Sequence, residues 1–332
     1  MATNMTPPAQ AVPFLEQHGW TTPKLTAVAG DASFRRYFRV DSGARHAILM
    51  DAPPPHEDPR PFIDIACHLR SQGFAAPEIL AQDLDQGLVL LEDFGDQRMR
   101  EHVDHHPEEE EAVYRHVVDL LAELRQQPAA DIPPYSRDEY VREVNLLTEW
   151  YCPAQGLEVD LPGFERAWDQ VLQSILDVQE PPVTVLRDYH AENIMLLKDG
   201  RLGLLDFQDA LAGHRAYDLV SMLQDARRDV SDELEAAMIA HYLSVTGETD
   251  PEQFRSHYAI LGAQRNTKII GIFTRLCKRD GKARYLDFLP RMWGLLEKDL
   301  RHPDLAPVAA WFDENIPAEI RQQPVPVEAP IS

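Results

Sequence analysis

The chain has 332 residues, with 32 basic against 55 acidic side chains and a formal net charge of -23. That length exceeds one ordinary core and suggests two lobes, while the negative charge excludes general binding to nucleic acid or anionic membranes, whose phosphates it would repel. Cys67, Cys152 and Cys277 give neither a zinc-ligand pattern nor a disulfide framework, Met1 to Pro13 lacks the basic and apolar regions of a leader, and no apolar run approaches roughly 20 residues, so a cytoplasmic protein with reduced thiols is expected.

In chain order, residues 1–13 read as a flexible tail, and Phe14 to Trp20 as a short helix. Leu25 to Val28 starts a strand, and Gly30-Asp31-Ala32-Ser33 makes a sharp turn. Phe34, Arg36, Phe38 and Val40 alternate with Arg35, Tyr37 and Arg39 in the period of a strand, and Ala47 to Met50 makes the next one. Phe62 to Gln72 has helical spacing, and Leu88 to Leu91 is another strand. Residues 91–96 then break the pattern and form the expected hinge. It separates a nucleotide-binding lobe, 14–95, from a mainly helical catalytic and acceptor-binding lobe, 97–321, with the nucleotide expected in the cleft. The proline-bearing stretch 322–332 reads as a second flexible tail.

Within the helical half, Val183 to Leu186 reads as a strand that delivers Asp188. Asn193 opens the apolar run Ile194 to Leu197, a Lys198-Asp199-Gly200 turn follows, and Leu202 to Leu205 leads to Asp206. Phosphoryl transfer needs a carboxylate to accept the acceptor's proton and oxygen ligands for Mg2+. Asp188 fits the first role, and Asn193 with Asp206 fits the second, at the ends of two hairpin strands. Taken singly, these residues could merely cap turns; their joint spacing is that of a phosphotransferase site.

The string resembles the kinase-like fold of the aminoglycoside and choline phosphotransferases, to which Asp188, Asn193 and Asp206 correspond. Gly30 to Arg39, Met50-Asp51-Ala52-Pro53-Pro54, Arg187 to His190 and Gln224-Asp225-Ala226-Arg227-Arg228-Asp229 further resemble the bacterial anomeric kinases of N-acetylmuramate and N-acetylglucosamine, which act in cell-wall sugar recycling. The resemblance implies an α+β protein-kinase-like fold with a small antiparallel-sheet lobe and a larger helical lobe. It also implies ATP and Mg2+, an amino-sugar acceptor phosphorylated at its C1 hydroxyl, and a bracing role for Asp218. A monomer with no nucleic-acid or membrane partner is expected. Gly30, Ser33, Arg35, Arg36, Glu92 and Phe94 are the candidate nucleotide contacts. Two positions depart from the family pattern. Leu186 stands where a bracing His is usual, and Met50 stands where the phosphate-binding Lys is usual, leaving Arg35, Arg36 or Arg39 as substitute cations.

For the acceptor, residues 261–291 hold eight basic side chains against Asp280 and Asp287. On a helix, Arg265, Lys268, Arg275 and Arg279 share one face, opposite Ile269, Phe273 and Leu276, so one face packs and the other offers cations. A polycationic aminoglycoside requires carboxylates, whereas the lactyl carboxylate of N-acetylmuramate can be received by a guanidinium. His190, Arg227, Arg228, Arg265 and Lys268 are therefore the candidate acceptor contacts. A kinase of another small acceptor (an aminoglycoside, choline or homoserine) and a nucleotide-binding pseudokinase are the alternatives.

Overall fold

Alternation along the first half builds an antiparallel sheet. The computed structural model describes residues 6–28 and 35–327, so the candidate turn residues Gly30 and Ser33 lie outside the described residues. Helix α1 (Ala11–Gln17) precedes strands β1 (Lys24–Val28), β2 (Arg36–Ser42) and β3 (Arg45–Asp51). Helix α2 (Arg60–Ser71) follows, then strands β4 (Ile79–Asp83) and β5 (Leu88–Leu91) and helix α3 (Met99–His105). The sheet order is β1-β2-β3-β5-β4. Phe38 pairs with Leu49 and Val40 with Ala47, and these four pack with Phe14, Leu15 and Trp20 into one apolar layer. Tyr37 and Arg39 point to the other face.

The later strands are short: β6 (Val183–Val185), β7 (Ile194–Leu196), β8 (Leu202–Leu204) and β9 (Leu211–Gly213). Strands β7 and β8 form the expected hairpin. Leu204 N–H donates to Ala75 O at 2.8 Å and Leu196 N–H to Gln97 O at 2.8 Å, which ties the hairpin to the first sheet's neighbourhood. The chain accordingly divides into two compact units, the first built from residues up to Glu108 with Glu192–Ala210 and the second from Glu109–Ala191 with Leu211 onward. Residues 97–108 and the hairpin, assigned from sequence to the second lobe, thus pack in the first unit.

The second unit is helical apart from the antiparallel pair β6–β9. Its helices are α4 (Glu110–Leu124), α5 (Arg137–Leu146), the single turn α6 (Cys152–Ala154), α7 (Leu161–Leu176), α8 (Tyr217–Leu223), α9 (Asp232–Thr246) and α10 (Pro251–Asp280). The last three are α11 (Leu289–Asp299), α12 (Ala306–Asn315) and α13 (Ala318–Arg321). The axis is the 30-residue α10, started by the Asp250 cap on Gln253 N–H and Pro251, and ended by Gly281 at φ 68°. Gly271 lets it touch α5, since a Cβ there would lie 2.3 Å from the Leu146 carbonyl carbon.

Three expectations are corrected. Ala11 and Val325, placed in flexible tails, are both buried, because α1 begins three residues early and Val325 offers an apolar side chain. Strands β4 and β9 add to those expected. The basic face of α10 offers fewer free cations than expected, since Arg265 is 3% exposed and Lys268 and Arg275 are half-buried, while Arg279 is exposed.

Candidate active site

In the second unit, β6 leads directly into Leu186-Arg187-Asp188. Asp218, in the first turn of α8, accepts the N–H of Leu186 at 2.7 Å and of Arg187 at 2.9 Å, and Ser221 Oγ donates to Arg187 O at 3.1 Å. These bonds hold Arg187 at φ 70°, a left-handed conformation that costs a non-glycine residue on the order of 1–2 kcal/mol. The loop is therefore braced through its backbone by Asp218, and Leu186 is simply buried where a bracing His is usual. Burial pushes the Asp218 carboxyl up to about 7 against the pull of those two N–H groups.

Asp188 is only partly exposed. Desolvation pushes its carboxyl up, but Lys268, His190, Arg265 and Arg187 outweigh this and hold it below the usual carboxylate range. It is ionised at neutral pH. Behind it lies a buried hub that the sequence did not reveal. Glu143 on α5, 1% exposed, pairs with Arg187 and with Lys268 Nζ at 3.0 Å. It also accepts from Gln264 Nε2 at 3.0 Å and from the Tyr135 hydroxyl. Burial disfavours its charge, yet these partners bring its carboxyl down to about 2. Lys268 also donates to Tyr217 Oη at 3.1 Å, so its ammonium is engaged behind the loop.

His190 is buried and neutral, its pKa lowered to about 4 chiefly by desolvation, and Arg227 Nη1 lies 3.2 Å from its Nε2. Asp225 accepts from Ala191 N–H at 3.4 Å and Arg227 N–H at 2.8 Å. The 224–229 segment is thus fastened to the catalytic loop. Arg228 turns aside, pairing with Glu110 at 2.5 Å over the Tyr114 ring. Arg265 Nη1 donates to Gln224 O at 3.3 Å.

In the first unit, Asn193 and Asp206 stand at the two ends of the hairpin, with Asn193 Nδ2 3.5 Å from Asp206 Oδ2 and Leu205 N–H bonded to Asn193 O. Asp206 has φ 58° and is exposed, and Gln208 Nε2 donates to its other oxygen at 3.1 Å. With the amide turned over, the pair presents two hard oxygens at one point, a donor set that fits Mg2+. Phe207 anchors this turn by stacking on Phe62 of α2, centroids 4.9 Å apart. The Phe94 ring lies against β8 where only Gly203 leaves room, a Cβ there falling 2.7 Å from the ring.

The substitute cations separate clearly. Arg39 is held by Asp96 at 2.7 Å and by Asp93 and Gly95 O at 3.1 Å each. Arg36 is clamped to the buried Asp51. Arg35 lies 3.6 Å from Glu57, and the Tyr37 hydroxyl, pushed up to about 12 mainly by burial, feels Arg35, Asp206 and Glu57 together. Glu92 receives Arg70 Nη1 at 3.4 Å and Glu78 N–H at 3.2 Å. Glu143 carried one sequence signal, an acid among Tyr140, Val144 and Leu147 at helical spacing; Asp225 and Tyr37 carried none beyond their motif strings.

Residues 24–257 match the model of the phosphotransferase enzyme family. An N-acetylmuramate/N-acetylglucosamine kinase of Pseudomonas aeruginosa is 38% identical over 85% of this chain and 86% of its own. A kinase of the same name from Caulobacter vibrioides is 34% identical over 93% and 96%. A choline/ethanolamine kinase family protein from Mesorhizobium loti shares the fold, with a TM-score of 0.65, 13% identity and coverage of 92% of this chain and 98% of that one. With more than half of its length matched by the model and 86% or more of each of these two relatives covered, the chain belongs to the phosphotransferase enzyme family.

Proposed function

We propose that the protein is an ATP-dependent kinase of amino sugars that phosphorylates the anomeric hydroxyl of N-acetylmuramate and N-acetylglucosamine. The relatives' names support this acceptor class. The observation that carries it is the sign of the acceptor side. Asp188 lies in the fields of Lys268, Arg265 and Arg187, which favour an anionic or neutral sugar over a polycationic aminoglycoside or a choline ammonium.

Asp188, kept ionised by those cations, orients the sugar C1 hydroxyl and accepts its proton late in a loose in-line transfer. The C1 oxygen forms the new bond to the γ-phosphorus. The bond from that phosphorus to the bridging oxygen breaks, and ADP leaves with the electron pair. Asn193 and Asp206 would hold Mg2+, which when bound neutralises the phosphate oxygens. Arg35, through its proximity to Tyr37 and the field of Asp206, is favoured over Arg36 and Arg39 as the phosphate cation, and Phe94 is the ring that flanks the base. Arg227 and His190 line the sugar side. Among the described residues no helix is long and apolar enough to cross a membrane, and the relatives' names are consistent with a role for the proposed reaction in cell-wall sugar recycling.

The test is 31P NMR of the protein with ATP, Mg2+ and each sugar. A phosphate doublet coupled to the anomeric proton supports the assignment. ATP turnover with kanamycin or choline but with neither amino sugar refutes it.

A further inference from the structure

Four of the eight basic side chains of 261–291 are engaged as follows. Lys268 is on Glu143, Arg279 on Asp280 at 2.7 Å, Arg291 on Asp229 at 2.5 Å and Ala226 O at 3.0 Å, and Lys278 on Pro326 O. Arg265 differs. It is 3% exposed, yet its one hydrogen bond goes to a backbone carbonyl, Gln224 O, and no carboxylate lies within ion-pair distance among the described residues. Its field reaches Asp188, His190 and Asp218. Asp218 already receives two backbone N–H groups, and Asp188 serves the reaction. A guanidinium withdrawn from water with no carboxylate in direct contact is costly, and a guanidinium's planar fork can receive an anion by paired hydrogen bonds.

We infer that Arg265 receives the carboxylate of the lactyl ether of N-acetylmuramate and so sets the preference for that acidic sugar over N-acetylglucosamine. This rests on the amino-sugar kinase assignment above. The two sugars differ only in that ether, which adds one carboxylate. Arg265 belongs with the acceptor side because it holds Gln224, the first residue of the segment that Asp225 fastens to the catalytic loop. The other anion that could use the same fork is the transferred phosphoryl group, which is common to both sugars.

The experiment compares kcat/KM for N-acetylmuramate and N-acetylglucosamine in the wild type, Arg265→Met and Arg265→Lys, and in the wild type with the methyl ester of N-acetylmuramate. Hydrogen bonds to a charged partner predict that Arg265→Met lowers the acid-to-neutral sugar ratio by roughly 10- to 100-fold. Arg265→Lys falls between, having charge without the fork. The ester loses a similar factor in the wild type. An equal fall for both sugars, as contact with the phosphoryl group or a merely structural role would give, overturns the inference, and so does an unchanged ratio. Should Arg265→Met not fold, Arg265→Lys and the acid-ester comparison decide, with equal rates for acid and ester overturning it. A wild type that phosphorylates neither sugar refutes the kinase assignment and the inference with it; activity on both with a ratio independent of Arg265 sinks the inference alone.

Discussion

Replacing Glu143 by Gln keeps the volume of the hub and removes its charge, leaving Arg187 and Lys268 buried together without a carboxylate. Two routes give the size of the effect. The wild-type carboxyl is held at about 2 against an ordinary value near 4.3, which at about 1.4 kcal/mol per unit corresponds to roughly 3 kcal/mol of stabilisation of the ionised form. Breaking a buried ion pair by removing one partner costs about 3–5 kcal/mol. A loss of about 3–5 kcal/mol at pH 7 is therefore expected. Because the folded-state pKa is depressed, the contribution is fully present above about pH 4.3 and is lost as the pH falls toward 2. Urea unfolding followed by tryptophan fluorescence reports it, since Trp150, Trp168, Trp293 and Trp311 all lie in the same unit as Glu143. The wild-type and variant midpoints should converge as the pH is lowered through that window. A variant within about 1 kcal/mol of wild type at pH 7, or a gap that persists unchanged at low pH, refutes the reasoning.

Asp188→Asn should lose roughly 10²- to 10⁴-fold in turnover while binding ATP normally in a fluorescence titration; near-normal turnover removes Asp188 from the proton-accepting role. For Asp206→Asn, loss of even a supporting group near a metal costs about 10- to 100-fold in affinity. The Mg2+ concentration for half-maximal rate should rise by at least that much, and an unmoved titration means that Asp206 is not a ligand. Gly203→Ala drives a Cβ into the Phe94 ring, an overpacking of about 1–3 kcal/mol. The KM for ATP should rise several-fold with the sugar KM little changed, and the opposite split takes Phe94 away from the base.

The residues legible in the sequence were those whose spacing the chemistry dictates or whose period the pleat dictates. Asp188, Asn193 and Asp206 stand out because one loop and one hairpin must deliver all three, and β2 and β3 because apolar residues recur at every second position. Strand β9 is three residues long and pairs with β6 across a gap of some two dozen residues, while β4 leaves Leu80 exposed, so neither carries a local pattern. The three arginines of Arg35 to Arg39 are equivalent in sequence. Only Glu57, Asp51 and the Asp93–Asp96 turn, brought in by chain folding, tell them apart. On α10 the helical period was right, but periodicity identifies two faces and cannot say that the basic one is buried at Arg265 and exposed at Arg279.

That last point decides how an acidic protein handles an acidic substrate. At physiological salt, surface charges are screened over about 8 Å, so the net charge of -23 acts weakly on a bound sugar, whereas charges withdrawn from water are screened much less. Arg265 and Lys268, one turn apart on α10, divide that buried positive charge by task. Lys268 is bound into Glu143 and Tyr217 behind the loop and can only set the field around Asp188. Arg265, whose one hydrogen-bond partner among the described residues is the Gln224 carbonyl, is on the inference above the cation that meets the ligand. On the proposed assignment, the same pair would keep Asp188 ionised beside an anionic acceptor, whose own carboxylate would otherwise raise its pKa.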